Sequence, residues 1–259
     1  MLPSAYRRMY SALPRTFVLI FAVCAVTVAQ QSSPQTTQFE RLMSEAKSAE
    51  AAGRYDDAIL SYRQVVAASR EVPKDAALAY FNAGLIYLKF KEYKDAVDAF
   101  RQSIKLDPES AEANNNLGEA LSYLERYPEA IVAFQRAVAI DRNLLIAHFN
   151  MGLAYNRMGQ PNYAELIYRV LIRDHPDYAF GYDGLAVTLS KSGRAREAIP
   201  LHEKAISLSP QTPFFYYNLG ISFLALGNTE KAIEQKEKLM QLDPPAANKL
   251  AVFIAQRKR

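Results

Sequence analysis

The stretch "ALAYFNAGLIYLKFKEYKDAVDAFRQSIKLDPES", residues 77–110, holds two amphipathic patterns separated by a short polar turn. Tyr80, Ala83 and Tyr87 follow the i, i+3, i+7 spacing that places apolar side chains on one face of a helix. The same spacing resumes at Ala96 and continues almost to the end of the stretch. The stretch therefore predicts two helices that pack against each other as a pair.

This 34-residue unit recurs without gaps, and we number the places within it from 1. All five copies have a small residue at place 8 and an alanine at place 20. The copies begin at Ala77, Ala111, Leu145, Ala179 and Pro213. An earlier copy over residues 39–76 is four residues longer, which is about one helical turn, so its second helix is expected to run on by one turn.

The repeated pattern resembles the tetratricopeptide repeat family over residues 39–246. The signature is carried by "YFNAGLIYLKFKEYKDAVDAFRQSIKLDP", "NNLGEALSYLERYPEAIVAFQRAVAID" and "YNLGISFLALGNTEKAIEQKEKLMQLDP". The resemblance implies an all-α fold, a right-handed superhelical solenoid of six helix–turn–helix repeats with a C-terminal capping helix. The expected repeats are 39–76, 77–110, 111–144, 145–178, 179–212 and 213–246, and residues 247–259 form the capping helix and a basic tail.

The N-terminus has the composition of a secretory signal. Three arginines precede the apolar run "TFVLIFAVCAVTVA", residues 16–29, and no acidic residue occurs before Glu40. This pattern predicts a signal peptide over 1–29, cleaved near Ala29, and then a disordered leader over 30–38. Export to the periplasm or the medium is expected. The alternative is a membrane anchor formed by residues 16–29, although that run is shorter than the roughly 20 residues of a full span.

The charge balance and the cysteine content of the expected mature chain differ from those of the full sequence, because residues 1–29 are set aside. Without the three arginines there, 28 basic residues stand against 27 acidic ones. This balance excludes the strongly basic surface typical of nucleic-acid binding. Membrane contact is expected only through the signal segment, if it stays uncleaved. The single cysteine, Cys24, lies in the apolar run, so the mature chain would have none.

The first helix of each unit carries the candidate binding residues. Places 2, 5, 6, 9 and 13 share one stripe of that helix, and the resemblance places it on the concave surface. Place 6 is an asparagine in four of the five units: Asn82, Asn116, Asn150 and Asn218. An amide offers both a donor and an acceptor to an extended peptide backbone, or equally to a neighbouring repeat. Both interpretations stay open.

The other places of the stripe extend this candidate groove. The further candidate residues are Phe81, Asn115, Phe149 and Tyr217 at place 5, and Lys89, Arg157 and Lys191 at place 13. Places 2 and 9 are mostly apolar, and we expect packing between repeats to cover them. In the unit that starts at Ala111, Asn115 and Asn116 are expected to face the groove. Together with Glu112 and Glu119 they predict a polar, acidic waist.

No pattern in the sequence indicates chemistry. The three histidines, His148, His175 and His202, lack the close spacing of a metal site, and no glycine-rich loop cradles a phosphate. No serine has a base placed beside it by a motif. We therefore expect no catalysis, cofactor or metal. The sequence predicts a protein- or peptide-binding module, with a structural scaffold that uses its convex face and termini in an envelope assembly or secretion complex as the alternative.

Overall fold

The computed structural model describes residues 34–69 and 72–257, with side chains placed from residue 38 onward. The predicted signal and the alternative anchor, both within 1–29, lie outside these residues. Every regular element in the described ranges is an α-helix. None of these helices is long and apolar enough to cross a membrane. The chain divides into two compact units, Met1–Asp75 and Ala76–Arg259.

The first unit contains one antiparallel helix pair, α1 (Pro34–Ala51) and α2 (Tyr55–Ala68). Its core is formed by Ala46, Ala58 and Tyr62, all buried. The hydroxyl of Tyr62 donates a hydrogen bond to Glu50 Oε2 at 3.1 Å, which satisfies the polar end of a ring buried between the two helices.

Helix α1 starts earlier than the sequence predicted. It begins at Pro34, so residues 34–38 are helical and do not belong to a disordered leader. Proline suits a helix start because its φ angle already matches the helix and its missing N–H has no intrahelical acceptor there.

The second unit contains eleven helices in the residues that the structure describes. They are α3 (Pro73–Lys89, which starts at the end of the first unit), α4 (Tyr93–Leu106), α5 (Ala111–Tyr123), α6 (Tyr127–Ile140), α7 (Leu145–Arg157), α8 (Pro161–Asp174), α9 (Ala179–Lys191), α10 (Ala195–Leu208), α11 (Pro213–Ala225), α12 (Thr229–Leu242) and α13 (Pro244–Arg257). The odd-numbered helices α3 to α11 are the first helices of five pairs. The all-α class with helix–turn–helix repeats is thereby confirmed.

The prediction about the four extra residues of the earliest copy was wrong. Helix α2 has 14 residues, the same length as α4, so it does not run on. The extra turn lies at the start of α3, which has 17 residues where α5 has 13. Pro73 opens α3, where the fixed φ of proline favours a helix start.

Each early pair is closed by an aromatic ring that rests on a glycine. A Cβ at Gly118 would lie 2.6 Å from Phe134 Cε1, and one at Gly84 would lie 2.7 Å from the same atom of Phe100. Both rings are fully buried. Place 8 therefore needs a residue without a side chain so that the ring at place 24 can pack against the facing helix.

The turn inside each pair reverses through one residue with a left-handed backbone. Place 15 has a positive φ in all five 34-residue repeats of the second compact unit. It is a glycine in the last three and Lys91 (φ 63°) or Glu125 (φ 58°) in the first two. Left-handed geometry costs a residue with a Cβ about 1–2 kcal/mol, so these two turns are strained where the glycine turns are not.

From α5 onward, first helices lie closer together than second helices do. Each of α5, α7 and α9 contacts the next first helix as well as its own partner. No second helix in the described residues comes comparably close to the next second helix. Helix α13 packs against both α11 and α12, as the first helix of a seventh pair would. We call the surface of the first helices and α13 the first-helix face, and from α5 onward these helices follow one another in contact.

Candidate functional site

The first-helix face exposes apolar side chains at place 2 in regular succession. Leu78, Ile146, Phe180 and Phe214 are 38–49 % exposed, and Glu112 interrupts the row. Leu85 and Leu153 at place 9 are exposed as well. The expectation that packing between repeats covers these places is therefore wrong at place 2, whereas at place 9 Val187 and Ile221 are half-buried. Exposed apolar residues in a row of this kind are typical of an interaction surface.

Two of the four place 6 asparagines, Asn150 and Asn218, form hydrogen bonds between neighbouring repeats. Asn150 Nδ2 donates to Asn115 Oδ1 at 3.2 Å. Asn218 Nδ2 donates to Asp183 Oδ2 at 2.8 Å. In both cases place 6 of one repeat bonds to place 5 of the repeat before it. Each of these amides keeps one N–H and its oxygen for another partner.

Asn115 does not face the groove, as the sequence had predicted it would. It is only 6 % exposed, because it lies against α7 and receives the bond from Asn150. Asn116 next to it is half-buried, as is Asn82 one repeat earlier. The polar waist predicted at this repeat therefore consists of Asn116 with Glu112 and Glu119, and Asn115 belongs to the interface beneath it.

The aromatic candidates at place 5 are half-buried and in contact with the core rings. The centroids of Phe81 and Phe100 lie 5.8 Å apart. Phe149 contacts Tyr168 at 5.8 Å and Phe180 at 5.9 Å. These rings connect the interior of each pair to the first-helix face. Their exposed edges add apolar area beside the asparagines.

A cavity of about 490 Å³ lies at the C-terminal end of the first-helix face, and we call it the C-terminal pocket. Its walls come from α9, α11 and α13. It is lined by Val187, Ser190, Lys191, Tyr217, Asn218, Ile221, Ser222, Leu224, Ala225, Phe253, Gln256 and Arg257. Of the sequence-predicted candidates, it brings together Lys191, Tyr217 and Asn218. Lys191 and Arg257 are its two charged residues.

A second cavity of about 470 Å³ lies between α5 and α7, and we call it the central pocket. Arg157 and Asn150, both predicted candidates, line it together with Glu119 and Glu125. Burial raises the pKa of Glu119 above its ordinary value. Lys89, the remaining basic candidate, is exposed and lines neither of these two pockets.

A buried polar network, which no sequence motif indicated, lies directly behind the C-terminal pocket. His202 Nδ1 donates to Asp183 Oδ1 at 2.6 Å, and His202 Nε2 lies 3.1 Å from Ser222 Oγ. Ser222 Oγ in turn lies 3.1 Å from Ser190 Oγ. His202, Asp183 and Ser222 are each at most 1 % exposed. The network bonds both carboxylate oxygens of Asp183, because Asn218 binds the second one.

The order of Asp183, His202 and Ser222 is that of a hydrolase triad, but its surroundings do not support that chemistry. Ser222 lies inside α11, where backbone N–H groups donate to carbonyls one turn earlier. No backbone donor beside Ser222 is therefore free to stabilise an oxyanion. The arrangement holds side chains in place, and it also directs the Ser190 hydroxyl and the Asn218 amide towards the C-terminal pocket.

The sequence did contain a signal for this network. Place 24 is aromatic in Phe100, Phe134 and Tyr168 but becomes His202 in the next unit. Place 5 of the same unit is the acidic Asp183. The change of place 24 to a histidine in the same repeat in which place 5 becomes an acid indicates a paired contact.

The histidines and acids of the described residues form no cluster that could hold a metal ion. His148 Nε2 contacts the carbonyl oxygen of Arg142 at 3.1 Å, and His175 is half-buried in a turn. Neither has the arrangement of ligands that zinc requires.

Comparisons with known sequences match repeat families along most of the chain. A tetratricopeptide repeat model matches residues 43–111 and 184–247. Related repeat models match residues 99–132, 120–159 and 147–178. Among curated proteins, none matches the sequence.

Solved structures of similar fold cover most of the chain. PilW, a widely conserved type IV pilus biogenesis factor, is 25 % identical, covers 82 % of this chain and 98 % of its own, and has a TM-score of 0.67. A tetratricopeptide repeat protein from Parabacteroides merdae is 20 % identical, with 89 % of each chain covered and a TM-score of 0.67. YrrB, a repeat protein with an unusual peptide-binding site, is 20 % identical over 75 % of this chain and 97 % of its own, with a TM-score of 0.53. The latter two show the fold alone.

Proposed function

We propose that this chain, which belongs to the tetratricopeptide repeat family, is an exported, non-enzymatic module that holds an extended peptide or a partner helix on its first-helix face. Proteins of this family generally mediate protein–protein interactions and are typically non-enzymatic. The observation that carries the proposal is the row of exposed apolar residues at place 2. Such residues are costly to leave in water unless a partner covers them.

The polar groups of the face suit a peptide backbone. The amides of Asn150 and Asn218 each retain donors and acceptors after their bonds within the protein. The structure records no hydrogen bond for the amides of Asn82 and Asn116 within the described residues. Apolar contacts would supply affinity, and the spaced amides would fix the register of the bound segment.

The export part of the proposal rests on residues 1–29. Its support is the sequence pattern of a basic start, a short apolar run and small residues at the end. Mass spectrometry of the protein purified from its own cells tests it: the mature chain should begin close to residue 30. Intact residues 1–29 in the membrane fraction would favour the anchored alternative.

A second candidate function is a scaffold that uses the opposite surface. Val132 on α6 and Leu166 on α8 occupy place 22 of consecutive units and are 61–65 % exposed. Two exposed apolar residues at the same place of neighbouring repeats favour a contact there. The likeness to PilW, a type IV pilus biogenesis factor, supports a role in an assembly of this kind.

A pair of matched variants separates the two functions. Ile146→Ser with Phe180→Ser alters the first-helix face, and Val132→Ser with Leu166→Ser alters the outer surface equally. Crosslinked capture from native cells is compared for both variants after circular dichroism confirms that they fold. The first proposal expects partner recovery to fall about tenfold or more for the first variant only. Loss confined to the second variant would replace it with the scaffold function.

A further inference from the structure

The C-terminal pocket differs in charge from the rest of the first-helix face. Lys191 and Arg257 line it and no acidic side chain does, whereas the central pocket contains Glu119 and Glu125. We propose that the C-terminal pocket holds a residue of the bound peptide that presents a carboxylate beside an apolar side chain. This inference rests on the proposed function, since it assigns the chemistry of one segment of the same ligand.

The two cations outweigh the charge of the helix ends near them. Lys191 is the last residue of α9 and Arg257 the last of α13, and both are exposed. A helix C-terminus carries about half a negative charge, so each cation leaves a net positive excess at its helix end. Two such ends at one cavity attract an anion and disfavour a cation.

The apolar part of the pocket fits a side chain rather than a free small ion. Phe253 is 45 % exposed and lines the cavity, although its helix neighbours Leu250 and Ile254 are buried. Val187, Tyr217 and Ile221 complete the apolar wall. A cavity of about 490 Å³ lies within the range of ligand pockets. The combination favours an apolar group with a carboxylate attached.

Polar donors at the pocket are positioned before any ligand arrives. Asn218 uses one N–H for Asp183 and keeps the other, and Ser190 is held by the hydroxyl of Ser222. Both contacts belong to the network anchored by the buried His202. Because these groups are already fixed, a carboxylate that bonds to them loses little further side-chain freedom.

A carboxylate of this kind has two sources, the free C-terminus of a partner chain or an internal acidic side chain. Four peptides with an uncharged dye and a common Gly-Ser-Gly-Ser start distinguish them. One ends in Ala-Leu-Leu as the free acid and one is the same peptide as its amide. The other two end in Leu-Glu-Leu amide and Leu-Gln-Leu amide. Fluorescence anisotropy measures their affinity for the purified full-length protein.

The proposal expects a carboxylate peptide to bind about tenfold more tightly than its neutral counterpart, the effect of two exposed ion pairs. Preference within the first pair identifies a C-terminus, and preference within the second identifies an acidic side chain. Equal affinity within both pairs, or no binding of any peptide up to about 1 mM, overturns the proposal.

Variants assign the preference to this pocket. Lys191→Ala should reduce the acid-to-amide ratio to about twofold while binding of the neutral peptide stays unchanged. Phe253→Ala should weaken both forms alike by about fivefold. Lys249→Ala is the matched control, because Lys249 is an exposed cation of α13 that does not line the pocket. An acid-to-amide ratio that survives Lys191→Ala would place the carboxylate elsewhere and refute the assignment.

Failure of this inference and of the proposed function can be told apart. If partner capture depends on Ile146 and Phe180 but no peptide pair shows a carboxylate preference, the first-helix face binds a peptide and the C-terminal pocket does not recognise an acid. If partner capture is also unaffected by the Ile146 and Phe180 changes, both proposals fall together.

Discussion

The two ends of the second unit solve the same packing problem with different chemistry. In the early pairs a phenylalanine at place 24, Phe100 or Phe134, fills the space against a glycine. In the later pairs place 24 is His202 and then Lys236. His202 is satisfied by Asp183 and Ser222, and the side chain of Leu250 from α13 fills the space against Gly220. The difference shows that a place can change its chemistry when its neighbours change with it.

The largest expected effect comes from removing an aromatic ring at place 24 of the early pairs. Phe134→Ala should lower the free energy of unfolding by about 4 kcal/mol, because the ring is fully buried between α5 and α6 and its loss leaves a cavity. Urea unfolding followed by circular dichroism measures it. Val132→Ala on the exposed side of the same helix is the control, and an equal loss there would contradict the packing argument.

The stability of the buried polar network around His202 should be sensitive to the loss of one of its side chains. Asp183→Ala leaves the buried Nδ1–H of His202 and the amide of Asn218 unpaired, so it should cost about 3 kcal/mol by the same urea measurement.

Replacing both members sharpens the comparison. In a chain that also carries Ala186→Gly, which gives the ring the glycine that place 8 supplies in the early pairs, Asp183→Phe combined with His202→Phe introduces the pair of residue types that Phe81 and Phe100 provide. Exchange of buried polar partners for apolar residues is often close to neutral, so the double variant should be more stable than Asp183→Ala. A double variant less stable than Asp183→Ala would show that the two chemistries cannot be exchanged.

The turns inside the pairs also differ between the early and the late repeats, since place 15 is Lys91 or Glu125 in the early ones and glycine in the late ones. They offer a test with a smaller expected effect. Lys91→Gly or Glu125→Gly should raise the free energy of unfolding by about 0.5–1 kcal/mol, because relief of the left-handed strain exceeds the entropy that glycine loses on folding. The reverse change, Gly193→Ala, should lower it by a similar amount. Thermal unfolding detects both, and shifts of the same sign for the forward and reverse changes would refute the argument.

The smallest effect concerns Glu119, one of the two acidic residues of the central pocket. Burial raises the pKa of Glu119, so the folded state favours the protonated form and loses stability as the pH rises through that pKa. Glu119→Gln should therefore raise the melting temperature slightly at neutral pH. The gain should disappear below about pH 4, where the carboxyl is protonated in both states. A gain independent of pH would assign the effect to packing.

The fold was predictable because the spacing of small and aromatic residues repeats. Place 8 and place 20 identify where two helices meet, and that information is local to each unit. The helix starts were less predictable. The prediction missed α1 beginning at Pro34, and it assigned the extra turn of the first repeat to α2 and not to α3. Both errors arose because the 34-residue alignment placed the boundaries and the local preference of proline was not weighed against it.

The candidate site was predictable only in part. The sequence located the face that contains Asn150, Asn218 and Lys191, because their places lie on one stripe of the first helix. It did not reveal that Asn115 is buried, since an amide looks the same whether it binds a ligand or a neighbouring repeat. The C-terminal pocket also escaped prediction, because α13 contributes Phe253 and Arg257 from outside the repeat pattern.

The position of α13 gives this short helix two tasks at once. It covers the apolar end of the last pair through Leu250, and under our proposal it also presents Phe253 and Arg257 to the ligand. A single proteolytic cut after Asp243 would separate α13 from the last pair. It would remove one wall of the pocket and at the same time expose the apolar end of that pair. Conversely, a duplication of α9 to α12 ahead of α13 would lengthen the array and keep a copy of Lys191 beside α13, so the pocket would be retained at the new end.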